Sequence, residues 1–251
     1  MSGEGLGSLA AFVPDLLAGR PLAVLTGAGV SAESGLPTFR GPDGMWEGRR
    51  AVELTTPEAF AANPKEVWRF YEWRRAKLRE ARPNAGHAAL ARIERVIPRM
   101  TLVTQNVDGL HHAAGSRSVI ELHGTILKTR CTGCGANEPG PDVPFETLPP
   151  RCACGSLLRP DVVWFGEKLP EGVFDAAADA ARESAVFLVV GTSSLVAPAS
   201  SLATIAARGG SKVFEINPLP TPLAPLADGS FRASASAVLP VLADALERGA
   251  A

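Results

Sequence analysis

The sequence predicts an α/β protein whose parallel sheet is covered by helices on both faces. Four short apolar runs are typical of buried strands, and segments with helical spacing of apolar residues lie between them. The predicted strands cover residues 21–26, Met100–Thr104, Val186–Val190 and Lys212–Ile216. Strands that alternate with helices form parallel sheets, and strands buried on both faces are nearly continuous apolar runs.

The predicted helices are indicated by apolar residues that recur every three or four positions. One of them contains Val67, Trp68, Tyr71 and Leu78, and Pro83 ends it. In chain order, helices are predicted over residues 9–17, 64–82, 85–96, 170–184, 198–208 and 237–248.

The composition restricts the possible functions. The chain has 251 residues, 46% of them hydrophobic, which is enough for a large domain with a smaller insertion. Because 25 Lys and Arg against 26 Asp and Glu give a formal net charge of -1, no nucleic-acid partner is expected. There is no signal-peptide pattern and no apolar run of roughly 18 residues, so we expect a soluble, cytoplasmic protein without a membrane partner. The sequence specifies no oligomeric state.

All four cysteines lie in one segment, residues 128–159, which interrupts the alternation of strands and helices. They form two close pairs, Cys131-Thr-Gly-Cys134 and Cys152-Ala-Cys154. Four thiolates suit tetrahedral zinc, and a filled coordination shell leaves no position for a reactive water. We therefore expect one structural Zn²⁺ in a small metal-held module. Free cysteines or disulfides are the alternative.

A glycine turn, Gly27-Ala28-Gly29, follows the first predicted strand. Glycines let a pyrophosphate approach the backbone, and ligands of open α/β sheets bind at the carboxyl ends of strands. The spacing is not G-x-G-x-x-G, so a hydride-transferring dehydrogenase is not predicted. On this pattern alone, an ordinary strand-to-helix turn is an equal alternative.

Six ordered motifs give this glycine turn a more specific context. They are GAGVSAESGLPTFR at 27–40, TQNVDGLH at 104–111, ELHG at 121–124, RPDVVWFGE at 159–167, GTSSLVAP at 191–198 and EINPLPTPL at 215–223. With them the chain resembles the sirtuin family of NAD-dependent protein deacylases over about residues 21–242.

The resemblance implies that residues 1–251 form one sirtuin catalytic core with two domains. The large, Rossmann-like domain is expected from residues 1–40, 84–125 and 160–251. The small domain is expected from a helical segment, residues 41–83, and a zinc ribbon, residues 126–159.

The resemblance also implies a set of residues that bind NAD as co-substrate. Ser31 is expected to donate a hydrogen bond to the pyrophosphate, and the backbone amide of Ala235 to contact adenine. The full expected set is Gly27, Ala28, Gly29, Ser31, Phe39, Arg40, Trp46, Gln105, Asn106, Asp108, Gly191, Thr192, Ser193, Asn217 and Ala235.

The resemblance assigns the general base to His123, in the Glu-Leu-His-Gly motif. A histidine accepts a proton near neutral pH. The implied reaction removes an acyl group from a lysine of a protein substrate, with nicotinamide, 2′-O-acyl-ADP-ribose and free lysine as products. A protein mono-ADP-ribosyltransferase that uses the same NAD site is the alternative, and a non-catalytic zinc-ribbon binding module is a more distant one.

Two features concern the acyl group. Val163, Phe165 and Gly166 match the sirtuin segment that pairs with the substrate backbone. Tyr71 and Arg74 are three residues apart, so they share a helix face on which a phenol and a guanidinium can hold a carboxylate. This Tyr-x-x-Arg pattern resembles the class III sirtuins and implies desuccinylase and demalonylase activity besides deacetylation. Thr55 stands where that branch has a small alanine, and we expect it to narrow the acyl pocket.

Overall fold

A computed structural model of the chain describes residues 9–38 and 45–250. In chain order its main elements are α1 (Val13–Leu17), β1 (Leu22–Thr26), α2 (Ala28–Ala32), β2 (Met45–Trp46), β3 (Arg49–Arg50), α3 (Pro57–Ala62), α4 (Pro64–Glu80), α5 (Ala85–Val96), β4 (Met100–Thr104), α6 (Leu110–Ala113), β5 (Val119–Glu121), β6 (Gly124–Cys131), β7 (Asn137–Pro139), β8 (Leu158–Val162), α7 (Val173–Glu183), β9 (Val186–Val190), α8 (Leu202–Arg208), β10 (Lys212–Ile216), β11 (Gly229–Phe231) and α9 (Ala235–Ala250). Within the described residues, no helix is both long and apolar enough to span a membrane.

The largest sheet has six strands in the order β11-β10-β9-β1-β4-β5, and every neighbouring pair is parallel. The four strands predicted from apolar runs are its four central strands. The edge strands β5 and β11 were not predicted, because three residues are too few to form a recognisable apolar run. The predicted α/β class with a parallel sheet is confirmed.

Each face of this sheet carries its own hydrophobic core. Leu22 and Val24 of β1 belong to a core shared with α1, α5 and α9, whereas Ala23 and Leu25 belong to a second core shared with α7 and α8. Successive side chains of a strand point to opposite faces, so a strand between two cores must be apolar throughout. Each fully buried leucine of this kind contributes about 1.5–3 kcal/mol to stability.

Helix boundaries follow from capping residues. The Asn63 side chain accepts the Glu66 amide at 3.2 Å before α4, and Pro64 occupies the first turn, where no amide is needed. Asn84 begins α5 by accepting the amides of Gly86 and His87. Helices α4, α7 and α8 are shorter than the sequence predicts. Residues 81–82 and 184 have irregular backbone, residues 171–172 lie in a turn, and residues 199–201 form a 3₁₀ helix before α8.

A smaller unit is built from α3, α4 and an antiparallel three-stranded sheet, with strand order β7-β6-β8. Its core contains Trp68, Phe70 and Trp164, which are all nearly fully buried. The Trp68 indole N–H donates to the Leu158 carbonyl at 2.8 Å and ties α4 to β8. The four cysteines belong to this unit, in agreement with the predicted small domain of helices and a zinc ribbon.

Candidate active site

A cavity of about 510 Å³ lies at the carboxyl ends of the central strands. Gly27, Gln105, Gly191 and Asn217 line it, and each comes directly after one of the strands β1, β4, β9 and β10. Its volume is in the range of small-molecule sites in proteins. The cavity also extends to α4 and to the segment after β8, so it connects the large sheet with the smaller unit.

The glycine turn after β1 crosses the turn after β9 at very short distance. The Gly29 amide donates to the Gly191 carbonyl at 2.8 Å. A Cβ atom on Gly29 would lie 2.7 Å from that carbonyl oxygen, and one on Gly27 would lie 2.7 Å from Thr192 Cβ. A side chain at either position would collide with the turn after β9, so only glycine fits there. Because the Gly29 amide is already hydrogen-bonded, it is not available to a pyrophosphate.

Three amide side chains hold the strand ends together. Gln105 donates to the Thr192 hydroxyl at 3.0 Å, Asn217 donates to the Thr192 carbonyl at 2.7 Å, and Asn106 donates to the Gly27 carbonyl at 3.1 Å. Ser193 and Ala28 also line the cavity. The structure thus brings together the predicted residues of the turns after β1, β4, β9 and β10.

Ser31 lines the cavity, and its hydroxyl donates to Asp108 Oδ2 at 2.7 Å. Its hydrogen bond to a pyrophosphate stays a prediction. His87 Nε2 lies 3.4 Å from the same hydroxyl oxygen, and its other ring nitrogen, Nδ1, accepts the Asn84 amide. Burial lowers the pKa of His87. The sequence analysis missed His87, although the Asn-x-x-His spacing at a helix start is that of a capping box.

A second buried histidine lies beside the first. The His111 ring is 4.9 Å from that of His87, and His111 Nε2 lies 2.9 Å from the Thr26 hydroxyl. Burial, followed by the nearby histidines, lowers the pKa of His111 to about 3. The His111 ring is therefore neutral at pH 7 and does not serve as an acid.

His123 is placed in the cavity with a defined tautomer. Its Nδ1 lies 3.0 Å from the carbonyl oxygen of Gln105, which only accepts hydrogen bonds. Nδ1 therefore carries the proton, and Nε2 keeps a free lone pair. Burial lowers the pKa of His123, and the hydrogen bond to Gln105 opposes this effect in part. The neutral ring is thus the form present at pH 7, as a general base requires.

Tyr71 and Arg74 of α4 also line the cavity. Tyr71 is buried, and its hydroxyl oxygen accepts the Trp164 indole N–H at 2.8 Å. Burial raises the pKa of Tyr71, so the phenol stays protonated. Burial also lowers the pKa of Arg74, while Tyr71 and Asp108 act in the opposite sense. An arginine keeps its charge at neutral pH even so.

Thr55 and the segment after β8 line the cavity as well. The Thr55 hydroxyl donates to the carbonyls of Ala51 and Val52, both at 3.2 Å. Val163, Phe165 and Gly166 line the cavity, and their pairing with a substrate backbone stays a prediction. The amides of Val163 and Phe165 donate to the carbonyls of His123 and Thr55, both at 2.9 Å, so these two amides are not available to a substrate strand.

Two predicted NAD contacts do not line the cavity. Trp46 packs edge-on against Phe70, at 5.7 Å between ring centroids, because its large apolar ring fills the core of the smaller unit. Ala235 lies at the start of α9, where it is buried in the first core beside Gly86. Phe39 and Arg40 lie outside the described residues.

The side chains of the four cysteines lie close together in the smaller unit, and none of them lines the cavity. Their sulfur atoms all lie within 4.8 Å of one another, with Cys131 and Cys154 at 3.5 Å and Cys134 and Cys152 at 3.8 Å. Four sulfurs bound tetrahedrally at 2.3 Å from zinc stand about 3.8 Å apart. The cluster therefore fits a single tetrahedral Zn²⁺.

Replacement of Cys134 by serine is expected to remove the zinc and to destabilise the smaller unit first, because the segment between β6 and β8 has few apolar residues of its own. Metal analysis should give one zinc per wild-type chain and close to none in the variant, with a lower Tm. Thr132→Ser is the matched control, since the Thr132 hydroxyl donates to Leu157 and ligates nothing. A metal-free protein with an ordered ribbon would contradict this prediction.

The fold and the site together define an α/β protein with a ligand cavity at its strand ends and a separate four-thiolate module. A model of the Sir2 family matches residues 27–198, more than half of the chain, and the chain belongs to this family. The resemblance to sirtuins found in the sequence is thereby confirmed.

Curated relatives cover nearly the whole chain. A protein named "NAD-dependent protein deacylase" from Aquifex aeolicus is 50% identical over 226 residues, which is 90% of this chain and 95% of the relative. The "NAD-dependent protein deacylase 2" of Pyrobaculum aerophilum is 51% identical over 238 residues, 94% of this chain and 95% of the relative.

Solved structures agree in fold. A Sir2 homolog–NAD complex superimposes with a TM-score of 0.90 at 45% identity, over 96% of this chain and 94% of that chain. A complex of Sir2 with a p53 peptide and NAD⁺ gives a TM-score of 0.80 at 31% identity, over 95% of this chain and 98% of that chain.

Proposed function

We propose that this chain is an NAD-dependent protein-lysine deacylase that removes acetyl groups and also the acidic succinyl and malonyl groups. The observation that carries the proposal is His123, a neutral base with a free Nε2, in one cavity with Tyr71 and Arg74. The names of the relatives and the NAD and peptide complexes of related structures support it. The products are nicotinamide, 2′-O-acyl-ADP-ribose and free lysine.

The strand-end cavity fits NAD as co-substrate. The crossing of Gly29 and Gly191 leaves no side chain on the floor, so an extended dinucleotide can lie against the backbone. Residues assigned to hold it are Gly27, Ala28, Gln105, Asn106, Asp108, Thr192, Ser193 and Asn217, with Phe39 and Arg40 assigned by family resemblance. When bound, NAD supplies the ribose carbon that takes the acyl oxygen as nicotinamide leaves.

His123 then removes a proton from a ribose hydroxyl through Nε2. The Gln105 carbonyl fixes the ring by accepting a hydrogen bond from Nδ1–H, and burial keeps the ring neutral between turnovers. The cavity orients two substrates against this base, and orientation of this kind supplies much of an enzyme's rate enhancement. The zinc site takes no part in the chemistry and serves only the smaller unit.

The acidic-acyl part of the proposal rests on two hydrogen-bond donors that line the cavity. The protonated Tyr71 phenol offers one hydrogen bond, and the planar guanidinium of Arg74 offers a bidentate fork to a carboxylate. Both line the same cavity as His123. An acetyl group has no carboxylate, so these donors distinguish acidic from neutral acyl groups.

Replacement of Arg74 by methionine is expected to lower kcat/KM for succinyl- and malonyl-lysine peptides about 10- to 100-fold, because a charge-assisted pair is lost. Deacetylation should stay within about threefold of the wild type, since no charge is involved. Competition between acetyl, succinyl and malonyl peptides with NAD measures both effects.

The control for this substitution is Arg69→Met on the same helix. Arg69 is exposed and pairs with Glu47 at 2.8 Å, so its loss should leave the acyl preference unchanged. Equal losses of desuccinylation and deacetylation in Arg74→Met would refute the carboxylate role. Absence of NAD-dependent activity on every acyl-lysine peptide would refute the proposed function as a whole.

We propose domain limits of 1–40, 84–125 and 160–251 for the large domain and 41–83 and 126–159 for the small one. A cytoplasmic location stays a prediction from the sequence.

A further inference from the structure

The hydrogen bond between Trp164 and Tyr71 has only one possible direction. An indole nitrogen donates and does not accept, so Trp164 Nε1 is the donor and Tyr71 Oη is the acceptor, at 2.8 Å. The phenol has a single proton, which must then be directed away from the indole. Both residues line the cavity, and their exposed fractions are only 3% and 2%. A hydrogen bond in such a dry environment is stronger than one in water.

The indole itself is held on several sides. The Arg159 guanidinium lies 3.4 Å from the centroid of the Trp164 ring, and the Phe60 ring packs on it at 5.2 Å. Arg159 donates to both carboxylate oxygens of Glu167, at 2.6 and 2.8 Å. The same carboxylate accepts the Trp164 backbone amide at 2.8 Å. These contacts fix the position and the direction of the indole N–H.

We propose that Trp164 is a positioning residue that determines acyl specificity, because its indole N–H orients the Tyr71 phenol so that the phenolic proton is presented to the carboxylate of an acidic acyl group. This inference rests on the proposed acidic-acyl activity. It assigns to Trp164 a role in substrate choice that differs from core packing, since packing alone would affect all acyl groups equally.

An acetyl group makes no use of this arrangement. Its methyl accepts no hydrogen bond, so the direction of the Tyr71 proton does not affect its binding. For a succinyl or malonyl group, a phenol free to rotate must be ordered when the substrate binds, which weakens binding. The orientation therefore acts mainly on KM for acidic substrates and little on kcat.

The test is Trp164→Phe, which keeps an aromatic ring against Arg159 and Phe60 and removes the donor. For a succinyl-lysine peptide, kcat/KM is expected to fall about five- to tenfold, mainly through KM, as for the loss of one buried hydrogen bond. For the acetyl-lysine peptide it should stay within about twofold. In a Tyr71→Phe background, Trp164→Phe should have no further effect on the ratio of the two activities.

Trp68→Phe is the matched control. Trp68 is also fully buried in the smaller unit, and its indole N–H also donates at 2.8 Å, to the Leu158 carbonyl. Its loss should lower stability and leave the succinyl-to-acetyl ratio unchanged. If Trp164→Phe does not fold, 3-benzothienylalanine introduced at this position keeps the shape of the ring and replaces the N–H by sulfur.

The possible outcomes distinguish the role of Trp164 from the proposed acidic-acyl activity. An unchanged succinyl-to-acetyl ratio in the Trp164 variants, with a wild type that removes both groups, would overturn the role of Trp164 and leave the proposed function intact. A similar change of the ratio in Trp68→Phe would also overturn it. A wild type without desuccinylase and demalonylase activity would instead overturn the acidic-acyl proposal.

Discussion

Replacement of His123 by alanine is expected to lower turnover of every acyl-lysine peptide by about 10²- to 10⁴-fold, the contribution of a positioned general base. The ring is only partly buried, and its one recorded hydrogen bond within the described residues is that of Nδ1 to the Gln105 carbonyl. Its removal should therefore leave the circular dichroism spectrum and the Tm close to those of the wild type. The measurement is steady-state deacylation with NAD in excess.

His112→Ala is the control for this substitution, since His112 is an exposed histidine 3.7 Å from Glu121 and does not line the cavity. It should retain full activity.

The pH profile of deacylation gives a second readout for His123. Burial lowers the pKa of His123, and the base is neutral above that pKa and protonated below it. The activity should therefore rise with pH. The acid limb of kcat/KM should have its midpoint below about 6.5, the ordinary value for histidine. A near-normal rate in His123→Ala would contradict the assignment.

Replacement of Gly191 by alanine is expected to damage both the stability of the protein and the cavity. Gly191 has φ +60, which a side chain disfavours, and its added Cβ would lie 2.5 Å from the Val30 amide nitrogen. The conformational cost is about 1–2 kcal/mol. Relief of the clash adds about 1–3 kcal/mol, because the two turns must separate. The separation also removes the floor of the cavity, so NAD-dependent activity should be lost.

The control for Gly191 is Gly19→Ala. Gly19 also has a left-handed backbone, φ +89, but no atom lies within 4 Å of its added Cβ. It should therefore show the conformational cost alone, about 1–2 kcal/mol, with full activity. Urea unfolding and deacylation assays on both variants separate the two contributions. Equal destabilisation by the two substitutions would show that the close crossing of the turns is not important for stability.

The elements that could be predicted are those whose burial in the fold requires a recognisable pattern of apolar residues in the sequence. Strands β4, β9 and β10 lie between two cores, so most of their residues are apolar and buried, and their limits match the prediction. Strands β5 and β11 have three residues each at the sheet edges, where burial demands little of the sequence. The cysteine pairs were predictable because metal binding constrains spacing directly.

The parts of the site that were not predictable depend on tertiary contacts. The hydroxyl of Ser31 donates to Asp108, 77 residues away, and no local pattern reveals which acceptor it chooses. Trp46 matches a motif that the family resemblance assigns to the dinucleotide, yet its ring fills the core of the smaller unit. The direction of the hydrogen bond from Trp164 to Tyr71 likewise follows from the packed structure and not from either sequence motif.

The most direct test of the central claim follows the fate of NAD. The protein is incubated with an acetyl- or succinyl-lysine peptide and NAD labelled in its ADP-ribose portion. We expect nicotinamide, free lysine peptide and labelled 2′-O-acyl-ADP-ribose to form in solution in equal amounts. Label that becomes covalently attached to protein, with the peptide still acylated, would identify a mono-ADP-ribosyltransferase and contradict the proposed deacylase activity.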